Sequence, residues 1–277
     1  MTHQPPTNAP MLHPTCGPAG EHHVENLFSS IASRYDLINS VLSLGRHKDW
    51  RRFAVSLIGP SQGDRALDVC CGTGDFAIEL ARAVGWQGAV KAIDCSEPML
   101  EIARRKAEQA GLSQIEFIKG DARCLPFADN TFDCAVVGFG LRNIPNFDEA
   151  IAEMKRVVRP GGKVLSLEIF GLRGHWCSAL WKLYFGTIGP ILARILGGNT
   201  EAYRYLPQSV EYFATAEQMA REFAAQGLVD VQYRKLALGA VCIHVGTKPL
   251  GKTASTSIRL VNRTERTWRD ERKRIER

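Results

Sequence analysis

A glycine turn between an apolar run and a helical repeat constrains this chain more than any other feature. Residues 67–76 read LDVCCGTGDF, so a short apolar run is followed at once by Gly72-Thr73-Gly74 and an amphipathic helical pattern. Glycine lets the backbone turn tightly and lets a ligand approach without a Cβ in the way, and the amide groups at a helix N-terminus are unpaired. The stretch therefore predicts a strand, a turn and a helix that together hold a nucleotide-like ligand.

Apolar runs alternate with helical patterns from residue 65 onward, which is typical of βαβ units and a parallel sheet in an α/β fold. A hairpin at 229–236 and 241–246, preceded by a helix at 216–225, is expected to finish the sheet with an antiparallel strand. Right-handed crossovers align the carboxyl ends of the parallel strands along one edge, where ligands bind. The pattern predicts strands at 66–69, 89–93, 115–118, 134–137 and 163–168, and helices at 48–57, 76–84, 98–110 and 148–157.

Acidic residues and glycines recur where successive predicted strands end. Asp94 ends the second strand, and a carboxylate there can accept hydrogen bonds from both hydroxyls of a ribose. Asp94 can also cap the helix that follows, as can Ser96, and the two roles are compatible. After the third strand, the carboxylate of Asp121 and nearby backbone amides can bind an adenine edge. The residues that we expect to bind the cofactor are Asp68, Gly72, Thr73, Gly74, Asp94, Asp121 and Ala122.

Two classes of cofactor fit this turn. The spacing Gly72-x-Gly74-x-x-Ala77 satisfies the dinucleotide fingerprint, so NAD stays open. The sequence offers no second phosphate-binding half, however, and Asp75 puts a carboxylate where a pyrophosphate would sit, which is unfavourable. S-adenosylmethionine carries a cationic sulfonium and an amino group but no phosphate, so the same carboxylate suits its positive end. We therefore favour S-adenosylmethionine.

Charge and cysteine usage exclude several other classes of protein. The formal net charge is +6, and nine Lys/Arg against four acids in residues 251–277 supply five of those charges. The nearly neutral body indicates no nucleic-acid surface. The eight cysteines lack paired C-x-x-C spacing, and no His, Cys and carboxylate cluster has metal-ligand spacing. We expect a cytoplasmic protein with reduced thiols, no metal, no signal peptide and no membrane span of about 18 apolar residues.

The sequence divides into a globular body and less regular segments at its two ends. Residues 1–21 are rich in Pro and His without periodicity and are predicted to be disordered. The body covers 22–248, within which 22–60 is predicted to form a helical lid and 172–212 an apolar helical insertion. Residues 249–277 are predicted to be a basic tail.

Four sequence motifs indicate a family. The most specific are YDLIN at 35–39, with Ser43, His47 and Trp50 after it, and RVVRPGG at 156–162, which leads to Glu168. With FGLRN at 139–143 and YLPQSV at 205–210, these motifs resemble the UbiE/MenG-type C-methyltransferases of ubiquinone and menaquinone biosynthesis over about residues 24–248. The sequence departs from the family pattern at Ile38 (usually Met), Cys70 (often Gly) and Phe170 (usually a small hydroxyl residue).

The resemblance implies a fold and a reaction. The fold is the class I, Rossmann-like fold of methyltransferases that use S-adenosylmethionine, with a seven-stranded sheet that is mostly parallel and has an antiparallel final strand. The reaction is methyl transfer to a ring carbon of a prenylated quinol. The segments LDVCCGTG and IHVGTK resemble sequences of the menaquinone branch more than those of the ubiquinone branch. Demethylmenaquinol is therefore the expected substrate, and the benzoquinol of the ubiquinone branch is the alternative.

The resemblance also implies the residues that act. The ring carbon becomes nucleophilic when the neighbouring hydroxyl loses its proton, so the site must stabilise an anion derived from a group that titrates near pH 10. Arg142 is the candidate for that role, and Asn143 can orient the hydroxyl or a water that relays the proton. The alternatives are a loop ion pair and a helix cap. Tyr35 and His47 are candidate lid residues over the quinol, although a lone histidine is more often a structural hydrogen-bonding residue.

An isoprenoid substrate implies contact with a membrane. Such a substrate resides in the bilayer, so its enzyme needs an apolar groove and a way to sit at the surface, here the inner face. The aromatic and apolar stretch 176–198 is the expected site for the prenyl tail, but a buried helix pair that covers the sheet explains the same pattern. The basic tail can contact anionic headgroups or form a solvated helix with internal ion pairs.

Overall fold

The computed structural model describes residues 18–172, 187, 208–251 and 257–260. Two helices precede the first strand, and strands then alternate with helices. The main helices are α1 (Pro18–Leu42), α2 (Arg46–Ile58), α3 (Asp75–Val84), α4 (Glu97–Gln109), α5 (Phe147–Val157) and α6 (Ala216–Ala225). The strands are β1 (Arg65–Val69), β2 (Ala89–Asp94), β3 (Ile115–Lys119), β4 (Phe132–Gly138), β5 (Val158–Ile169), β6 (Val229–Leu236), β7 (Val241–Thr247) and β8 (Ile258–Leu260).

All of these strands belong to one sheet of order β3-β2-β1-β4-β5-β7-β6-β8. Strands β1 to β5 pair in parallel, and β7 lies antiparallel between β5 and β6. The predicted α/β class and the antiparallel strand of the hairpin are confirmed. The predicted number of seven strands is wrong, because the described residues form eight. Residues Ile258–Leu260 pair with β6 inside the predicted basic tail, and a three-residue strand leaves no apolar run for a sequence pattern to reveal.

Helices cover both faces of the sheet because the strand side chains alternate between two apolar clusters. In β1, Leu67 and Val69 pack into the cluster that holds α5 and α6, whereas Ala66 packs into the cluster that holds α2 and α3. In β4, Val136 and Val137 divide between the two clusters in the same way. The central strands are therefore buried on both sides, which fixes the edge where their carboxyl ends emerge.

The strand order reverses at β1, which pairs with β2 on one side and with β4 on the other. The helix after β1 and the helix after β4 therefore leave the sheet on opposite faces, and a crevice opens outside the carboxyl ends of these strands. Ligands of open α/β sheets bind in such a crevice.

The predicted boundaries agree closely with the structure. The predicted strands and helices end within two residues of the observed ends, except that β5 begins at Val158 and runs through Pro160-Gly161-Gly162. Helix α1 begins at Pro18, within the segment 1–21 that the sequence predicted to be disordered. Most of the predicted insertion 172–212, including 176–198, and most of the tail 249–277 lie outside the described residues. Among the described residues, no helix is long and apolar enough to cross a membrane.

Candidate functional site

A cavity of about 330 Å³ lies outside the carboxyl ends of β1, β2, β3 and β4, where the strand order reverses. The turns after these four strands supply most of its wall, and Tyr35 of α1 closes one side. The cavity therefore lies where the sequence placed the cofactor. It is lined by Tyr35, Cys70, Gly72, Ile93, Asp94, Cys95, Ser96, Met99, Lys119, Gly120, Asp121, Ala122, Arg123, Gly138, Phe139, Gly140, Asn143, Ile144 and Pro145.

The glycine turn and Asp94 hold each other in place. The Gly72 amide donates to Asp94 Oδ2 at 2.8 Å, and the Ser96 amide donates to Asp94 Oδ1 at 2.9 Å. Gly72 has a φ of +53°, and a Cβ there would meet no protein atom within 4 Å, so the turn leaves open space at the cavity wall. The two backbone bonds orient the Asp94 carboxylate, and a carboxylate oxygen can accept more than one hydrogen bond. The ligand role predicted for Asp94 is therefore compatible with its bonds to the turn, whereas the N-cap position of α4 is occupied by Ser96.

Asp121 and Ala122 also lie in the cavity wall, but they differ in their exposure to solvent. Ala122 is buried, whereas the Asp121 carboxylate is exposed and accepts from the Arg123 amide at 2.8 Å and from Arg123 Nη2 at 2.7 Å. These hydrogen bonds from Arg123 hold the pKa of Asp121 below its usual range. The carboxylate that the sequence assigned to an adenine edge is thus already engaged by a neighbouring cation.

The other predicted cofactor residues lie behind the cavity wall. Asp68 is buried beneath the turn, and burial raises its pKa well above the usual range of a carboxyl. The Thr73 hydroxyl donates to Asp36 Oδ1 at 2.6 Å rather than facing the cavity. Gly74 begins α3 with a φ of +81°, and a Cβ there would come within 2.9 Å of the Ala103 Cβ. These three residues therefore support the conformation of the glycine turn without lining the cavity.

Asp75, which the sequence analysis matched to the positive end of the cofactor, pairs with two cations of the chain and does not line the cavity. Lys106 Nζ lies 2.5 Å from Asp75 Oδ1, and Arg51 Nη1 lies 3.3 Å from Asp75 Oδ2. Burial alone would raise the pKa of Asp75, but the two cations outweigh burial and lower it. The carboxylate is therefore neutralised by cations of the chain itself. The sequence did not reveal this pairing, because Lys106 is distant in sequence and has the pattern of an ordinary cation on a helix surface.

Lys106 also fastens the N-terminal helix to the sheet-forming body. Its Nζ lies 2.6 Å from Asp36 Oδ2, so one ammonium group of α4 bridges a carboxylate of α1 and a carboxylate at the start of α3. Asp36 is the neighbour of Tyr35, which lines the cavity. The bridge thereby holds α1 against the glycine turn that precedes α3. The sequence analysis left Asp36 between a cap and a ligand contact, and in the structure it accepts from Thr73 and Lys106.

The predicted catalytic residues Arg142 and Asn143 lie in a short 3₁₀ helix, Leu141–Asn143, after β4. Both side chains donate to the Phe139 carbonyl, from Arg142 Nη1 at 2.5 Å and from Asn143 Nδ2 at 3.3 Å. Asn143 lines the cavity together with Tyr35. Arg142 is 5% exposed and lies just behind the wall, where its Nη1 is 3.4 Å from Oε2 of the fully buried Glu168.

Two residues of the cavity wall have strained backbones. Cys70 after β1 has a φ of +54°, and Phe139 after β4 has a φ of +61°. Side chains other than glycine rarely adopt this left-handed region, and the strain costs of the order of 1–3 kcal/mol at each position. At Phe139 the strained backbone orients the carbonyl that accepts hydrogen bonds from Arg142 and Asn143, so the strain is located beside two of the predicted catalytic residues.

His47 is a structural hydrogen-bonding residue in this site. Arg51 Nη1 donates to its Nδ1 at 2.5 Å, so its Nε2 carries the proton and faces Ser40 Oγ at 3.1 Å. Burial and the neighbouring Arg51 lower the pKa of His47 to about 4. The neutral ring therefore links α1 to α2, which agrees with the more frequent role of a lone histidine.

Because the pKa of His47 is lower in the folded protein than in the unfolded chain, its contribution to stability is complete above about pH 6.5 and is lost as the pH falls toward 4. We expect the free energy of unfolding of the wild type to fall by about 2 kcal/mol more than that of His47→Gln between pH 7 and pH 5. Urea unfolding of both proteins at the two pH values measures this difference. Equal losses in the two proteins would show that His47 ionises as it does in an unfolded chain.

The parallel sheet, the glycine turn and the cavity at the strand-order reversal define a class I methyltransferase fold. The same fold occurs in a crystal structure of a SAM-dependent methyltransferase from Aquifex aeolicus, with a TM-score of 0.53 and 21% identity over 71% of this chain and 88% of that chain. The sequence matches the ubiE/COQ5 methyltransferase family over residues 17–248. The chain belongs to this family, which confirms the resemblance that its motifs indicated.

Curated relatives match over nearly their whole length. A demethylmenaquinone methyltransferase of Bacillus cytotoxicus is 41% identical over 229 residues, which are 83% of this chain and 97% of the relative. A demethylmenaquinone methyltransferase of Bacillus cereus is 40% identical over 237 residues, which are 84% of this chain and 98% of the relative. The family match over residues 17–248 includes the cavity and the helices α1 and α2.

Proposed function

We propose that this protein transfers a methyl group from S-adenosylmethionine to a ring carbon of demethylmenaquinol. The observation that carries the proposal is the cavity at the strand-order reversal. Asp94, Asn143 and Tyr35 all line this one cavity. The names of the curated relatives support the choice of a naphthoquinol ring over a benzoquinol ring. The benzoquinol of the ubiquinone branch is the second candidate, because the family that the sequence motifs resemble includes both branches.

The residues of the cavity fit S-adenosylmethionine. The Asp94 carboxylate is held at the rim by two backbone amides and can accept from ribose hydroxyls, and the open space at Gly72 admits a ligand close to the backbone. Ile93, Met99 and Ala122 give the cavity an apolar wall that suits an adenine ring. Within the described residues no group of His, Cys, Asp and Glu side chains has the arrangement of a metal site. When bound, S-adenosylmethionine supplies an electrophilic methyl group.

The chain's own residues must position the quinol and stabilise its anion. Asn143 and Tyr35 face the cavity and can hold the ring hydroxyl or a water beside it. Burial raises the pKa of Tyr35, and nearby Arg142 and Arg51 counteract that effect, so its phenol is a neutral donor near pH 7. The positive charge of Arg142 behind the wall favours the ring anion over the neutral quinol. Such a preorganised charge acts strongly because Arg142 is buried, where the local dielectric constant is low.

Membrane contact belongs to the same proposal. A prenylated naphthoquinol partitions into the bilayer, so the enzyme has to reach its substrate at the inner membrane face. The segments that the sequence assigned to this contact, 176–198 and the basic tail, lie mainly outside the described residues. The contact therefore stays a prediction from composition.

An assay with a labelled methyl group tests the proposed reaction. The protein is incubated with methyl-labelled S-adenosylmethionine and with a short-chain demethylnaphthoquinol or the matching benzoquinol, both kept reduced by dithionite. We expect label in the naphthoquinol product, with kcat/KM at least 10-fold higher than for the benzoquinol. Preferential labelling of the benzoquinol would assign the enzyme to the ubiquinone branch. Calorimetric titration with S-adenosylmethionine and with NADH adds a second readout, and binding of NADH alone would rule out methyl transfer.

A further inference from the structure

Glu168 is a fully buried carboxylate near the candidate site, and neither the sequence motifs nor the proposed reaction gives it a role. It is near the carboxyl end of β5, next to the cavity-forming end of β4, because Gly138 of β4 pairs with Leu167 of β5. Its side chain is 0% exposed. An ionisable group at the end of an apolar strand, where a leucine would pack at no electrostatic cost, requires a compensating interaction.

Arg142 supplies that interaction and needs it equally. Arg142 Nη1 lies 3.4 Å from Glu168 Oε2, and this is the ion pair that Arg142 makes within the described part of the chain. A guanidinium that is 5% exposed would be strongly disfavoured without a counter-ion. The two groups come from different elements, the 3₁₀ helix after β4 and the strand β5. The pair therefore fixes the position of the 3₁₀ helix relative to the sheet.

The pair does not use up the hydrogen-bonding capacity of either partner. Within the described residues, Arg142 Nε and Glu168 Oε1 have no hydrogen-bond partner. The strongest contact of the guanidinium is instead with the Phe139 carbonyl, at 2.5 Å from Nη1. Arg142 is thus anchored through Nη1, while its buried Nε–H has no acceptor within the described residues.

We propose that Glu168 is the positioning residue for Arg142: its buried carboxylate holds the guanidinium behind the cavity wall, in the orientation from which Arg142 stabilises the quinol anion. The inference rests on the proposed function, since it takes the anion-stabilising role of Arg142 from there. Glu168 does not line the cavity, so it acts through Arg142 and not on the substrate.

Protonation of Glu168 should therefore control turnover. Burial raises the pKa of Glu168 to about 7, although Arg142 and the backbone amides of Leu141 and Ile169 counteract burial. The other titratable groups that interact with the pair are the Cys70 thiol beside Glu168 and the Tyr35 phenol beside Arg142, and burial raises the pKa of both, so both stay neutral. The carboxylate form that pairs with Arg142 is therefore half-populated near pH 7, predominates at higher pH and is lost as the pH falls below 7.

The pH profile of kcat at saturating concentrations of both substrates tests the proposal. For the wild type we expect kcat to fall on the acid side with an apparent pKa near 7. For Glu168→Gln we expect the acid limb to disappear and the plateau of kcat to fall at least 10-fold, with the KM for S-adenosylmethionine changed less than 2-fold. Glu168→Asp should restore part of the lost kcat and the acid limb. An acid limb that persists in Glu168→Gln, or an unchanged kcat, would overturn the proposal.

A matched control and a double variant separate positioning from a general loss of structure. Glu217→Gln removes a carboxylate that pairs with Lys235 at 2.7 Å, remote from the cavity, and should leave kcat unchanged. In the Arg142→Ala background, Glu168→Gln should cause no further loss of kcat, because the residue through which Glu168 acts is already absent. A further 10-fold loss in that background would show that Glu168 acts independently of Arg142.

A measurement without turnover distinguishes failure of this inference from failure of the proposed function. A carbon-13 NMR titration of the Glu168 carboxyl should show a higher pKa in Arg142→Met than in the wild type, because Arg142 lowers it. If the titration shifts but no quinol is methylated, the ion pair stands and the proposed reaction fails. If the quinol is methylated but neither the titration nor kcat responds, the proposed reaction stands and the positioning role fails.

Discussion

Arg142→Ala is expected to lower kcat for demethylmenaquinol roughly 100- to 1,000-fold, the usual cost of removing a preorganised group that stabilises a developing anion. The dissociation constant for S-adenosylmethionine should change less than about 3-fold, since Arg142 lies behind the wall near Phe139 and Glu168 rather than near Asp94. Single-turnover kinetics with labelled cofactor measure the chemical step, and calorimetry measures cofactor binding. The expected signature is a loss in the chemical step with cofactor binding intact.

Arg142→Lys is the matched control for this variant. Lysine keeps the positive charge but cannot donate in the planar, forked arrangement with which Arg142 faces the Phe139 carbonyl and Glu168. We expect an intermediate kcat, because the field of the charge remains while its orientation is lost. If the loss in Arg142→Ala appears only as weaker binding of S-adenosylmethionine, the assigned role is wrong.

Asp94→Ala should produce the opposite pattern. We expect the dissociation constant for S-adenosylmethionine to rise about 100-fold, because hydrogen bonds from two ribose hydroxyls to a carboxylate are together worth about 3 kcal/mol. Turnover at saturating cofactor should fall less than about 3-fold. Part of the binding loss comes from the glycine turn, since the Gly72 and Ser96 amides lose the carboxylate that they donate to. Asp94→Asn keeps one oxygen for these amides and should lose less affinity.

Asp133→Ala is the control for the structural part of the Asp94 effect. Asp133 also accepts from a backbone amide, that of Arg65 at 2.7 Å, but it lies at the beginning of β4, opposite the cavity. Its loss should lower the free energy of unfolding without changing cofactor affinity. An equal loss of affinity in Asp133→Ala and Asp94→Ala would mean that Asp94 contributes only to the stability of the fold.

The order and type of the elements could be predicted because each has a local cause. Helix α6 and strand β6 occur at the predicted residues, since apolar side chains recur at helical spacing in one and alternate in the other. The strand β8 could not be predicted, because three residues at a sheet edge are stabilised mainly by backbone pairing with β6. The pairing partner is distant in sequence, so no local pattern marks the strand.

The candidate site could be predicted only where it follows from strand ends. Asp94 and Asp121 end neighbouring parallel strands, so their meeting at one edge follows from topology alone. The bridge from Lys106 to Asp36 and Asp75 joins three helices, and nothing in the helical pattern of α4 singles out that lysine. Glu168 did carry a signal, since a charged residue in the apolar run LSLEI must be buried with a partner, but the sequence does not name Arg142 as that partner.

The position of β7 has a consequence for biosynthesis. Strand β5 carries Glu168 and, before β7 is added, its outer edge has unpaired amides and carbonyls along residues 164–168, which are buried in the finished fold. The ribosome makes β5 first and the strand that covers it only after the whole of 170–240 has emerged. During that interval the nascent chain has an unpaired strand edge at which another chain can pair. Intermolecular pairing at β5 is prevented only when β7 has been made and has paired with it.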